Sequence, residues 1–422
     1  MAKKRPKQKR ASSPRLGHRG QEAKACAALQ DKIYTLVEGL SSQMDRRIRR
    51  NIAEAVIGLM AGRCARLTVI GHRGKRRCKK LIYEVKRLSR LLRSQGWQKE
   101  EIEQGRLEMV RDQIKRSTAI GIDLSTKQWK YAWKVEDVAT VWDSKEKKKI
   151  RGHWWLMATA KIKRHRLVPL IGQIFSHTSK GFVSMNKEKE KFLKRLKQLV
   201  RGAGIWLFDR GFDSKWMVSL LGELQVQFIM RIKSNRDVEV QKEREAGLEE
   251  KGRIYLETLL RTASYPWEIV KWVKKKEVRL KVGFCAVKIP GLGHRLWLVY
   301  TQGGGEEFIL LTNLPVRKFS AALRVLRLYG WRWGVEELFR DMNEELGFQK
   351  IMVRTLRSIN KLLEIALLVY IFAFSLLKKM GPLLAMLLEL GGKLGLKGKS
   401  EDTIGRTLKG LSLLFIQCAR SP

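Results

Sequence analysis

The sequence predicts an α/β protein whose core of strands and helices is interrupted by a mostly β segment and preceded by a helical region. Three observations carry this. Residues 21–116 place apolar side chains at helical spacing. From Ser117 onward, short apolar strands and amphipathic helices follow one another. Between about 237 and 315, strand patterns succeed each other with little helix between them. Alternation of strand and helix is the pattern of layered α/β folds, and the two periods, 3.6 and 2, distinguish the element types.

Residues 1–20 are rich in Lys, Arg, Pro, Gly and Ser and are expected to form a disordered basic arm. In the helical region, Ile48, Ile52, Val56 and Leu59 recur on one helix face, and Leu81, Val85, Leu88 and Leu92 on another. The basic run HRGKRRCKK at 72–80 lies between them. The first hundred residues carry 27 Lys/Arg against 7 Asp/Glu, a local excess of +20. A helical DNA-binding domain over 21–116 fits this excess; a solvated helical surface is the competing reading.

The core opens with STAIGIDLS, read as an apolar strand ending in Asp123. Strands follow at 153–162 and 165–175, then a charged helix at 187–200. GIWLFD (204–209) reads as a short buried strand ending in Asp209; a helix at 213–224 and a strand at 225–231 come next. Residues 117–236 thus form the first part of the core. VRLKVGFCAVKI, RLWLVYTQ and EEFILLTNL predict a separate sheet within the insertion, 237–315. From Ser320 the chain reads as helical again, through the GF at 347–348 and on into the apolar segment at 362–377, so residues 316–376 complete the core. Residues 377–422 form a further helical region, a possible dimer interface.

Composition narrows the function. At 422 residues and 44% hydrophobic, the chain supports several domains and is not disordered throughout. Its 87 Lys and Arg against 41 Asp and Glu leave a net charge of +46, which a polyanionic partner relieves. Nucleic acid leads, with an anionic membrane or a ribosome behind it. Five scattered cysteines argue against a disulfide framework and fit a reducing cytoplasm. Cys64, His72 and Cys78 lack a fourth ligand and the short spacing of a zinc site. No apolar run follows the basic MAKKRPKQKR, so no secretory signal is expected. Leu362–Leu377 is apolar, but it is short for a span and contains Glu364, so a buried helix is expected and no membrane partner.

Three acids from remote parts of the chain carry the candidate chemistry. Cleaving a phosphodiester needs an activated water or hydroxyl and a stabilised leaving oxygen, which two Mg²⁺ or Mn²⁺ ions about 3.5–4 Å apart supply. Such ions take oxygen ligands and retain waters, so Asp123, Asp209 and Glu336 suffice as a two-ion site. On one continuous helix, Tyr329, Arg332, Glu336, Arg340 and Asn343 fall within an arc of about 80°. That face offers a carboxylate beside cations suited to phosphate oxygens, or alternatively a solvated face with Glu–Arg pairs.

The motifs resemble the DDE transposases of bacterial insertion sequences, in particular the insertion-sequence-four branch with its signature Y-x-x-R-x-x-x-E-x-x-x-x-x-x-K. The chain reads Tyr329-Gly-Trp-Arg332-Trp-Gly-Val-Glu336 and, seven positions on, Asn343. Phe208-Asp209-Arg210-Gly211-Phe212 is similar to the family's D-R-G-F/Y element, and Gly121-Ile122-Asp123 to the first acid at the end of a strand. Arg231-Ile-Lys233-Ser-Asn235-Arg236 resembles the basic segment after the next strand.

The resemblance covers roughly 117–376 and implies an RNase H-like core, with Asp123 and Asp209 on adjacent central strands and Glu336 on a helix beside them. It further implies cut-and-paste transposition, joining by a 3′-hydroxyl, a hairpin intermediate and a homodimer acting in trans on two ends. Double-stranded DNA, both terminal repeats and target, is the implied partner, and the bacterial cytoplasm and nucleoid the implied location. The implied DNA contacts are Tyr329, Arg332, Arg340, Asn343, Arg210, Arg231 and Lys233. Asn343 departs from the signature's Lys, supplying hydrogen bonds but no charge, and Arg340 stands one turn earlier.

Among secondary candidates, Asp213 or Ser214 is expected to cap the next helix, Glu337 to point about 100° from Glu336, and Asp143 to lie at the surface. Phe308, with Trp297 behind it, is the candidate to receive an extruded base; core packing is the competing role. Lys274, Lys275 and Lys276 are candidates to track a DNA backbone. Two other functions remain open: a catalytically silent DNA-binding protein derived from a transposase, and a structure-selective nuclease.

Overall fold

The computed structural model describes residues 17–40, 43–74, 78–129, 134–143, 146–163, 166–244, 247–273, 276–303, 307–378, 381–393 and 403–418. The expected basic arm lies outside them save for its last four residues, as do Lys75–Arg77 of the basic run and the pair Lys274 and Lys275.

Five helices come first: α1 (Gly17–Glu38), α2 (Arg46–Gly62), α3 (Leu67–Arg73), α4 (Leu81–Arg93) and α5 (Lys99–Glu108). Asp45 caps α2 by accepting from the Arg47 and Ile48 amides, satisfying donors that a helix start otherwise leaves bare. Strands β1 (Ala119–Gln128), β2 (Ala139–Asp143), β3 (Lys148–Lys163) and β4 (Arg166–Phe175) follow. Then come α6 (Met185–Val200), β5 (Ile205–Phe208), α7 (Lys215–Glu223) and β6 (Gln227–Arg231).

The inserted segment contains β7 (Asp237–Arg244), β8 (Gly247–Tyr255), α8 (Leu256–Thr262), β9 (Trp267–Val273), β10 (Lys276–Lys288), β11 (Leu296–Gln302) and β12 (Ile309–Thr312). Helices α9 (Phe319–Tyr329), α10 (Trp333–Glu344), α11 (Leu356–Lys378), α12 (Pro382–Lys393) and α13 (Thr403–Cys418) close the chain.

The strands form one mixed sheet in the order β2-β3-β1-β5-β6-β12-β11-β10-β7-β8, with β4 on β3 and β9 on β10. β1, β5 and β6 pair in parallel at its centre. The insertion was expected to make a sheet of its own. It instead continues the central one, because β12 returns to pair antiparallel with β6, Leu311 opposite Met230.

Side-chain alternation divides the packing between the two faces of the sheet. Ile120, Ile122, Trp206 and Phe208 enter one core with α6 and α7. Ala119, Ile205 and Leu207 enter another with Val325 and Tyr329 of α9.

A third core unites α1–α4 with α10–α13, so the first and last helices of the chain bury their apolar faces on each other. Helix α11 is long and apolar enough to cross a membrane, but 94% of its apolar window is buried within the fold, as expected for a core helix. Its Glu364 is paired with Arg106, both fully buried.

Asp123 is not at the end of its strand: β1 runs five residues further, to Gln128, because β3 continues to pair with it there. The segment from Ser320 is not one helix. A 3₁₀ turn, Gly330–Arg332, separates α9 from α10, so one angular step per residue does not hold from Tyr329 to Asn343.

Candidate active site

The register of the central strands builds the site. Ala119 pairs with Ile205 and Ile122 with Phe208 on parallel neighbours, so Asp123 and Asp209 are the next residues along adjacent strand lines. Alternation puts both on the sheet face of Ala119, Gly121, Ile205 and Leu207, the face that α9 covers. Ile122 is buried and Asp123 half-buried, so the acid stands where β1 emerges from the core. Asp209 is extended and starts the 3₁₀ turn Arg210–Phe212.

The third acid reaches the same face because Gly121 has no side chain. A Cβ there would lie 3.2 Å from the Arg332 carbonyl oxygen and 3.6 Å from both Arg332 Cα and Val335 Cβ. The turn before α10 therefore rests directly on β1, two residues before Asp123. Helix α10 buries Gly334, Val335, Leu338, Phe339 and Met342, and this stripe turns Glu336, Glu337, Arg340 and Asn343 outward.

Charge ties the cluster together. Burial pushes the Asp123 carboxyl up to about 6; Arg332 opposes the rise, while Asp209 and Glu336 add to it. Burial works against the Arg332 charge, but Tyr329, Asp209, Asp123 and Glu336 outweigh it and hold the guanidinium more firmly protonated than usual. Arg332 Nη2 donates to Glu336 Oε1 at 2.8 Å. Tyr329 is buried, and its phenol is pushed up to about 12 chiefly by that burial. Phe308, just before β12, sets its half-buried ring edge-on against Tyr329 at 5.8 Å, with the Arg231 guanidinium 5.1 Å from the ring centre.

Two recesses flank the acids. One, of about 540 Å³, is lined by Arg210, Arg231, Lys233 and Glu307. The other, of about 600 Å³, is lined by Lys127, Glu336, Glu337, Arg340, Asn343 and, across from them, Asp143 and Glu146. Asp143 accepts from the Glu146 amide at 3.2 Å and so belongs to the wall of this recess. Arg340 is exposed and lies beside Asp341.

Asn343 does not stand alone. Its Oδ1 accepts from the Lys127 ammonium at 3.5 Å, and Lys127 is buried over the rings of Trp129 and Phe348. Sequence reasoning missed Lys127. The available signal was the strand period, which puts 123, 125 and 127 on one face once β1 is known to continue.

Other candidates take structural places. Ser214, not Asp213, caps α7 by accepting from the Met217 amide. Asp213 accepts from the Lys233 amide and pairs with Arg236, tying the turn after Asp209 to the segment after β6. Trp297 is packed in the core. Cys64, His72 and Cys78 form no metal-binding group among the described residues.

Asp123 and Asp209 on the sheet and Glu336 on α10 thus approach one another beside recesses lined with Arg and Lys. Residues 172–372 match the family model described as the transposase DDE domain. The match runs from within β4 into α11 and includes Asp209, Tyr329, Arg332 and Glu336; Asp123 and the five N-terminal helices precede it. No curated protein matches the chain. The match supports a transposase function, which implies binding to DNA, and the mixed α/β sheet is consistent with such a domain. DDE transposases generally use divalent metals. Here the donor set is oxygen only and anionic, which suits Mg²⁺ or Mn²⁺. No group of three His, Cys, Asp or Glu side chains is drawn together for a metal among the described residues.

Proposed function

We propose that the protein is a cut-and-paste DNA transposase of a bacterial insertion sequence, of the insertion-sequence-four branch, with an RNase H-like core. The observation that carries this reading is the pairing of Ile122 with Phe208, which makes Asp123 and Asp209 neighbours on the face that α10 approaches with Glu336.

Asp123, Asp209 and Glu336 would hold two Mg²⁺ or Mn²⁺ ions. When bound, such ions activate a water or hydroxyl and stabilise the leaving oxygen. Arg332 and Tyr329 position the phosphate and the nearby backbone, while Arg210, Arg231 and Lys233 hold the strand on the Asp209 side and Arg340 and Asn343 on the Glu336 side. In the first step water oxygen bonds to phosphorus and the 3′-oxygen leaves with the bonding pair, to become a 3′-hydroxyl. In the second, that hydroxyl attacks a target phosphorus, loses its proton and displaces the target's own 3′-oxygen. A hairpin intermediate follows the same exchange within one duplex end, with Phe308 beside Tyr329 to receive an unstacked base.

The helices of 21–116 bind the terminal repeats, and the protein acts as a homodimer on two ends in the cytoplasm, at the nucleoid. Asn343 in place of a cation sustains the second reading, a silent DNA-binding protein.

Incubation with Mn²⁺, a duplex taken from the flank of the coding region and a supercoiled target tests this. Joined products linked through the 3′-end are expected. Cleavage without joining assigns a nuclease, and salt-sensitive binding without cleavage assigns the silent protein.

A further inference from the structure

Glu336 is held by a cation of the chain itself. Its Oε1 accepts from Arg332 Nη2 at 2.8 Å and the Tyr329 phenol lies against the same guanidinium, while Nε and Nη1 are buried and make no hydrogen bond of ordinary geometry among the described residues. Buried donors left unmade are costly, and the guanidinium fork matches the oxygens of a phosphate. The turn that carries Arg332 packs directly on Gly121 of β1, which keeps the guanidinium beside the acids. Among the acids around it the guanidinium hydrogen-bonds Glu336, and an arriving anion competes for that bond.

Charge balance separates them. Three carboxylates and one guanidinium carry two net negative charges, matched by a single divalent ion. With the guanidinium turned to a flanking DNA phosphate, the carboxylates and the scissile phosphodiester carry four, matched by two such ions. We propose that Arg332 couples DNA to metal: it holds Glu336 in the DNA-free chain, and a DNA phosphate draws it away and releases Glu336 to complete a two-ion site. This rests on the reading of Asp123, Asp209 and Glu336 as metal ligands. Arg332 is then a positioning residue for Glu336 as well as a phosphate contact. Because linkage is reciprocal, Mn²⁺ tightens DNA binding by the factor by which DNA tightens the second Mn²⁺, in the usual range of about 5–150-fold.

The test is the number of Mn²⁺ ions bound per full-length chain, counted by electron paramagnetic resonance with and without a duplex from the coding region's flank. The wild-type chain is expected to bind one ion alone and two with the duplex. Arg332→Gln frees Glu336, so its second ion should bind without DNA, about tenfold or more tighter than in the wild type. A merely structural Arg332 would alter the melting temperature and leave the ion count unchanged, which overturns the inference. If the variant does not fold, the wild-type comparison decides alone. Two ions with or without DNA, in a chain that cleaves, overturn this inference and leave the proposed function standing. No Mn²⁺ under either condition overturns both.

Discussion

The carbonyl oxygen of Arg332 lies 3.2 Å from where a Cβ on Gly121 would stand, so the turn that carries the guanidinium rests on the strand that carries Asp123. Gly121→Ala should push that turn away by a few tenths of an ångström, and Gly121→Val by more. Displacements near 1 Å cost about a hundredfold where reacting groups must be aligned. We expect a folded protein with cleavage about tenfold lower for Ala and lower again for Val. Full activity in Gly121→Val would show that the close approach does not position the site.

The Asp123 carboxyl, pushed up to about 6 mainly by burial, makes stability depend on pH. Its folded-state value lies above the ordinary range near 4, so the neutral form favours folding. That contribution is full below about 4 and is lost as pH rises through about 6. In chelator, the chain should lose about 2–3 kcal/mol between pH 4 and 7.5 from this group, and Asp123→Asn should lose correspondingly less. Urea unfolding at both pH values measures it; parallel losses in the two proteins would contradict the assignment.

Arg106 and Glu364 join α5 to α11 through a pair with both side chains fully buried. Arg106 Nη2 also donates to the Leu170 carbonyl at 2.9 Å, so β4 belongs to the same junction. Glu364→Ala leaves the guanidinium without its counter-charge and should cost about 3–5 kcal/mol. A urea midpoint unchanged from wild type would mean that the charge is compensated elsewhere.

Lys127 and Asn343 bear on the departure from the signature. Burial brings the Lys127 ammonium down to about 7, and Asn343 Oδ1 lies 3.5 Å away. A lysine at 343 would meet this ammonium, so Asn343→Lys should cost about 1 kcal/mol. Lys127→Met in the same background should recover it, giving a measurable coupling in a double-mutant thermal melt. Additive effects would show that the two side chains do not interact.

Much of the candidate site's placement was legible because it depends on local pattern. Asp209 follows IWLF, four residues buried on both faces of a parallel sheet, and such a run announces its own end. Asp123 was legible as an acid leaving the core, but not the continuation of β1, which β3 imposes from thirty residues away. The pairing of β12 with β6 was hidden for the same reason: alternation tells which face a residue takes, not which strand lies beside it. The 3₁₀ turn at Gly330–Arg332 was invisible to a fixed helical angle. Lys127 escaped because its role depends on an amide more than two hundred residues later.

The most direct test is cleavage of a duplex end from the coding region's flank with Mg²⁺ or Mn²⁺, comparing the wild-type chain with Asp209→Ala and Glu336→Ala. The account predicts metal-dependent nicking by the wild type, lost in both variants while DNA binding persists. Equal binding by three folded proteins with no cleavage by any, or cleavage retained in either variant, would contradict it.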